Sequence, residues 1–298
     1  MPLLDRALVV GIDRYPGVRP LAGAVNDANE FYKWVTSRAG GGVEPKNALR
    51  LRSSDFKPPK NPDDDLPAKE QVEKFFTSVD IAANANNKAG LGPKAGRRLW
   101  LFFAGHGFAP SLDRSAVLMA NASDTRVHNV AAMLWANRLY EGGWFDDVLL
   151  FQDACREPMS DADLTPPFFR KRQAPSNQQR SRFYAFSAKD GKLSKELAID
   201  GKIRGVFTTT LLNGLRSGAK DPRTGAVTTT RLKEYLEQNM RVFLSDADLE
   251  NDEIAKMPEV WNPEPFDILP ATATSAPRFP VRISGAGATA AAVLDGFN

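Results

Sequence analysis

The sequence predicts an α/β domain built on a mostly parallel central sheet flanked by helices. Strand-like and helix-like segments alternate along the chain, beginning with Ala7-Leu8-Val9-Val10-Gly11-Ile12 and an amphipathic stretch that follows it. Two runs, Leu99-Trp100-Leu101-Phe102-Phe103-Ala104 and Val148-Leu149-Leu150-Phe151, are apolar at every position, as strands buried on both faces of a parallel sheet must be. With 42% hydrophobic and 25% charged residues in 298, the chain can bury one domain of about 250 residues and leave a tail.

Taken in order, residues 6–12 read as a first strand and 22–38 as a helix with Val25, Ala28, Phe31, Tyr32 and Val35 on its apolar face. Ala48 to Arg52 reads as a short strand. Residues 53–66, with three prolines and Asp63-Asp64-Asp65, read as a loop. A helix over 68–83, the strand 98–104, a short strand from Ser115 to Ala120 and a helix from Asn129 to Tyr140 with Asn129 as its cap come next. After the second apolar run, residues 157–180 read as a loop, with five basic and no acidic residues between Phe169 and Arg182. A strand from Arg182 to Ser187, a helix from Val206 to Leu215, a helix over 228–244 capped by Thr229 or Thr230, and a strand from Pro265 to Leu269 complete the pattern. The expected division is one domain over 1–270, with parts at about 1–168 and 183–270 joined by the basic loop 169–182. The Ala/Gly/Ser/Thr-rich residues 271–298 have little to bury.

Composition narrows the function classes. A net charge of +3 is too small to suggest nucleic acid. No apolar stretch approaches the roughly 20 residues of a membrane span. A single cysteine excludes an intrachain disulfide and fits a reducing compartment, and the first strand follows the N-terminus too closely for a signal peptide, so a cytoplasmic location is expected.

That single cysteine, Cys155, stands directly beyond the second apolar run, in Phe151-Gln152-Asp153-Ala154-Cys155-Arg156. One of only two histidines, His106, stands directly beyond the first, in Ala104-Gly105-His106-Gly107. Chemistry in open α/β sheets sits outside the carboxyl ends of the strands. If the two strands are neighbours, about 5 Å apart, a thiol and an imidazole leave the same sheet edge. A thiolate is the nucleophilic form of cysteine, and an adjacent imidazole can take the thiol proton and later return it to a leaving amine. His128, in a polar loop with no strand before it, reads as a surface or cap residue. Asp13 reads as a turn residue, and Asp63-Asp64-Asp65 as a solvated acidic loop in preference to a calcium site. No cofactor or metal is expected.

These residues resemble the caspase-like cysteine peptidases, the group of caspases, paracaspases, metacaspases and their bacterial relatives. The resemblance runs from about residue 5 to about residue 270 and takes in the first strand, Leu21-Ala22-Gly23-Ala24-Val25-Asn26-Asp27-Ala28, Phe186-Ser187-Ala188 and Gly205-Val206-Phe207-Thr208. It implies a caspase-like sandwich and a cysteine endopeptidase with Cys155 as nucleophile, His106 as acid–base partner, and the backbone N–H groups of Gly107 and Cys155 as oxyanion donors. The caspase signature carries glutamine two residues before the nucleophile and glycine after the arginine. Here those positions are Asp153 and Glu157. An acid at the first position resembles metacaspases and paracaspases, which cut after basic residues. Asp27 and Glu196 match further pocket acids of those relatives. The resemblance thus implies protein or peptide substrates with Arg or Lys at the cleavage site, arginine preferred for its two-bond pairing, and leaves room for an activating partner protein. It also makes the basic loop, with Arg170, Lys171, Arg172, Arg180 and Arg182, a candidate for processing by the enzyme. The competing reading keeps the fold and drops the chemistry: a catalytically silent caspase-like scaffold that binds protein partners.

Overall fold

The computed structural model describes residues 4–111, 114–159, 161–189 and 191–271. The expected tail therefore lies, from residue 272 on, outside the described residues. The chain begins with β1 (Arg6–Gly11), α1 (Ala24–Thr36), β2 (Ala48–Arg52), α2 (Lys69–Lys88) and β3 (Arg98–Ala104). A run of short strands follows, β4 (Gly107–Ser111), β5 (Arg114–Leu118) and β6 (Asn129–Val130), then α3 (Ala132–Glu141), β7 (Asp147–Asp153) and β8 (Glu157–Pro158). The last third holds β9 (Ser181–Phe186), the hairpin β10 (Glu196–Ile199) and β11 (Lys202–Gly205), α4 (Val206–Asn213), β12 (Val227–Thr228), α5 (Thr229–Asn239), α6 (Asp246–Glu250), β13 (Glu259–Trp261) and β14 (Asp267–Leu269).

The main sheet has the order β13-β9-β7-β3-β1-β2, parallel throughout except for β13, which pairs antiparallel at one edge. Alternate side chains of each strand feed two cores because both faces are covered. Ala7, Val9, Trp100, Phe102, Leu149 and Phe151 pack with α1, α4 and α5, and Phe31 of α1 stacks on Phe102 at 4.5 Å. Leu8, Val10, Leu101, Phe103, Val148 and Leu150 face α2 and α3, where Phe76 and Trp135 stack at 3.9 Å. The result is a three-layer sandwich with a mostly parallel sheet between helices, as the sequence predicts.

Three local expectations are corrected. Asn129 is not a helix cap. It lies in β6, where its amide donates to the carbonyls of Val127 and Asp163 and its Oδ1 accepts from the Thr165 N–H, while the helix starts at Ala132. The cap of α5 is Thr228, whose hydroxyl oxygen accepts from the Arg231 N–H at 3.1 Å; Thr229 instead accepts from the Phe266 N–H. The acidic run 63–65 is no free cluster, because Asp63 pairs with Arg126 and the fully buried Asp65 takes two bonds from Arg14, at 2.6 and 2.8 Å.

The basic loop is pinned along much of its length. Arg172 lies 3.6 Å over the Trp144 ring and donates to the carbonyls of Gly142 and Pro93. Arg180 donates to the carbonyls of Tyr140 and Glu141, Arg182 donates to Asn137, and Phe169 stacks on Trp144. These cations are spent on carbonyls and rings and form no continuous basic stripe for a polyanion. Arg170 and Lys171 remain exposed. Among the described residues no helix is long and apolar enough to cross a membrane.

Candidate active site

Strand register decides where the two chemistry-bearing side chains emerge. β3 and β7 are neighbours, and Ala104 pairs with Asp153. His106 and Cys155, each two residues further on, therefore leave the sheet at the same level. Both strands then continue into a second, four-stranded sheet of order β6-β5-β4-β8, in which Phe108 pairs with Glu157. The two segments are thus paired below the site, where the Gly105 N–H still donates to the Asp153 carbonyl at 3.2 Å, and again above it from Phe108 and Glu157. Gly107 permits this closeness: a Cβ there would lie 2.8 Å from the Ala116 carbonyl oxygen and 2.9 Å from that of Cys155.

Both residues line a cleft of about 580 Å³ together with Asp27, Asp153, Glu157, Ser194 and Glu196. His106 is held from three sides. Its backbone N–H donates to the hydroxyl of buried Tyr15 at 3.0 Å, the two rings lie 4.8 Å apart, and Nε2 sits 2.6 Å from the carbonyl oxygen of Arg19. A carbonyl only accepts, so Nε2 carries the proton and Nδ1 of the neutral ring keeps a lone pair.

Cys155 sits on a clamped turn. The Ser187 hydroxyl both accepts from the Ala154 N–H and donates to the Ala154 carbonyl, at 3.1 and 3.0 Å. Arg156, fully buried, exchanges backbone bonds with Gly191 and Lys192, reaches Glu259 on the edge strand at 2.5 Å and lies over the Phe186 ring. The thiol sulfur accepts from the Ser194 N–H at 3.4 Å. Burial pushes the thiol above its ordinary range; the Ser194 N–H opposes this, and the charges of Glu157 and Asp153 add to it. Ionising the thiol is therefore disfavoured by its surroundings, and an adjacent base would assist it.

Two carboxylates converge behind Cys155. Asp153, 6% exposed, accepts at Oδ1 from the Ser194 hydroxyl at 2.7 Å and at Oδ2 from the Thr208 N–H and hydroxyl at 3.0 and 2.6 Å. Asp27, 2% exposed, accepts at Oδ2 from the Gly205 N–H at 2.9 Å, and its buried Oδ1 has no hydrogen-bond partner among the described residues. A Cβ on Gly205 would fall 2.1 Å from Asp153 Oδ2 and 2.9 Å from Asp27 Oδ2, so both acids press on one backbone point and only glycine fits. Burial raises both above the usual carboxylate range; for Asp27 the charge of Asp153 adds to the effect, and for Asp153 the Thr208 and Ser194 bonds work against it. Two adjacent acids in little water hold one charge more readily than two, unless a cation enters.

Glu196 also lines the cleft, but its two oxygens accept from the N–H groups of Ala22 and Gly23 at the start of α1, at 3.2 and 3.0 Å. Asp13 accepts from the Val25 N–H at 3.1 Å, so these two carboxylates together cap that helix. His128 is exposed and away from the cleft. Sequence reading missed Tyr15, Thr208 and Ser194. Tyr15 lies just past β1, on the edge where strand ends carry chemistry, and that position was its available signal. Ser194, in a polar loop with no periodicity, offered none.

The comparisons with known proteins agree with this architecture. A probable protease from a Desulfuromonadales bacterium is 27% identical over 220 residues, which is 70% of this chain and 26% of that protein. The chain thus spans about a quarter of its relative's length. The crystal structure of caspase-1 from Spodoptera frugiperda shares the fold, with a TM-score of 0.52 at 12% identity over 87% of this chain and 88% of that one. The family model of the caspase domain matches residues 5–265. The chain therefore belongs to the caspase-domain family.

Proposed function

We propose that the protein is a cysteine endopeptidase that cuts peptide bonds after Arg or Lys, with Cys155 as nucleophile and His106 as acid–base partner. The observation that carries the reading is the shared cleft: a thiol and an imidazole at one level of adjacent strands, next to two buried acids. A scaffold has no physical need to bury Asp27 and Asp153 side by side, at the cost of holding charge away from water.

In the proposed mechanism a basic side chain enters beside Asp27 and Asp153 and pairs with the charge there. This sets the following carbonyl carbon against Cys155. His106 Nδ1 takes the thiol proton as sulfur attacks, while Nε2 keeps its bond to the Arg19 carbonyl and so stabilises the imidazolium. The oxyanion is received by the N–H groups of Gly107 and Cys155. The imidazolium then gives its proton to the departing amine as the C–N bond breaks and a thioester remains. Water, deprotonated by His106, hydrolyses the thioester, and the thiol regains a proton.

A positional-scanning peptide library tests this with wild type, Cys155→Ala and His106→Ala. Wild type is expected to cleave after Arg and Lys, and each variant to lose at least about a hundredfold, because groups that act as a unit fail together. Cleavage after aspartate, or a loss under tenfold in well-folded variants, contradicts the reading.

A further inference from the structure

Asp153 does not present a free carboxylate to the cleft. Its Oδ2 carries two bonds from Thr208, and its Oδ1 carries the Ser194 hydroxyl. The main chain around Ser194 is fixed on both sides: the Leu193 N–H donates to the Glu253 carbonyl, the Ala255 N–H to Leu193, the Arg156 N–H to Lys192 and the Val206 N–H to Lys195. Ser194 itself bonds to Asp153 through its hydroxyl and to the Cys155 sulfur through its N–H. One residue of fixed backbone thus touches both the buried acid and the reacting thiol.

The two basic side chains make different demands here. A guanidinium pairs best through a fork on both oxygens of one carboxylate, and Asp153 Oδ2 is already saturated. An ammonium is a compact charge with three donors, and it is best served by single acceptor atoms from several residues. The Ser194 oxygen, having given its hydrogen to Asp153, keeps its lone pairs for such a donor beside Asp153 Oδ1. We propose that Ser194 is a specificity-determining residue that admits lysine: its oxygen serves as an acceptor for a substrate ammonium alongside Asp153. This rests on the basic-residue reading above and adds to it the residue that balances lysine against arginine.

The test uses two fluorogenic peptides identical except for Lys or Arg before the scissile bond, with wild type, Ser194→Ala and Ser194→Thr. Iodoacetamide alkylation of Cys155 serves as a control for the thiol, since the Ser194 N–H survives both changes. Ser194→Ala is expected to lower kcat/KM on the lysyl peptide about tenfold or more, mainly through KM, and to lower it severalfold less on the arginyl peptide, so that the Lys/Arg ratio falls. Ser194→Thr, which keeps the hydroxyl, is expected to retain the lysyl activity. Equal losses on both peptides, or an unchanged ratio, overturn the proposal and leave the basic-residue reading standing. If wild type alkylates normally but cleaves neither peptide, the basic-residue reading itself fails and takes the proposal with it.

Discussion

At the scale of single residues, the thiol is the group whose environment is most specific. Burial dominates its raised pKa, and Glu157, at the start of the short strand beyond it, adds an unfavourable negative charge. Removing that charge without changing shape favours the thiolate. Glu157→Gln is therefore expected to move the pH midpoint of Cys155 alkylation downward and to speed alkylation severalfold at pH 7.5. A midpoint that stays or rises contradicts the electrostatic account of the thiol. The proposed roles of Cys155 and His106 could be suggested from sequence because each follows a fully apolar run. Ser194 and Thr208 could not, because their importance lies in which carboxylate oxygen they touch, and no pattern of spacing records that.

At the scale of elements, the long strands and the short strand β2 were legible, and most of the other short ones were not. β3 and β7 announce themselves by the apolar runs Leu99–Ala104 and Val148–Phe151, and the observed β3 has the expected bounds. β4, β8, β10, β11 and β13 are two to five residues long; β8 and β13 are stabilised by pairing with distant strands and β10 and β11 by each other, and none carries an apolar run that marks it locally. The same limit applies to the basic loop. Its composition suggests exposure, yet Arg172, Arg180 and Arg182 find carbonyls and rings contributed by α3 and the turn after it. That docking places the loop beside Gly142 and Trp144, at the end of β7 opposite Cys155, about 20 Å away along the seven-residue strand. Processing is thus expected only after Arg170 or Lys171 and only by another copy of the enzyme. Intact-mass time courses check this: the initial rate should rise with the square of protein concentration and vanish in Cys155→Ala. First-order cleavage, or cuts after Arg180 or Arg182, would contradict the pinned-loop account.

For the whole molecule, the buried pair of acids is set against stability. A buried carboxylate with a raised native pKa binds its proton more tightly folded than unfolded. Its contribution is fully present below the unfolded value near 3.8 and is lost as pH rises through the native value. At neutral pH, Asp27 therefore weakens the fold it helps to equip. Asp27→Asn is expected to raise Tm by about 2–4 °C at pH 7.5, with the gain shrinking toward pH 4, while KM for basic substrates rises. A lower Tm at neutral pH would show that the Gly205 contact outweighs the desolvation cost. The sandwich and its family could be read from the whole sequence because strand order, apolar faces and the two strand-end residues all agree. The pocket chemistry could not be read to the same depth, since it depends on three segments far apart in sequence meeting at Gly205.

The central claim is that Cys155 is a nucleophile served by His106 beside a pocket for a basic side chain. Labelling with an arginyl chloromethylketone followed by peptide mapping tests it most directly. The account predicts a single adduct on Cys155, at least about a hundredfold slower in His106→Ala, strongly impaired in Asp153→Ala, and far faster than with the aspartyl reagent. Faster labelling by the aspartyl reagent, or an arginyl adduct that forms equally well without His106, would contradict it.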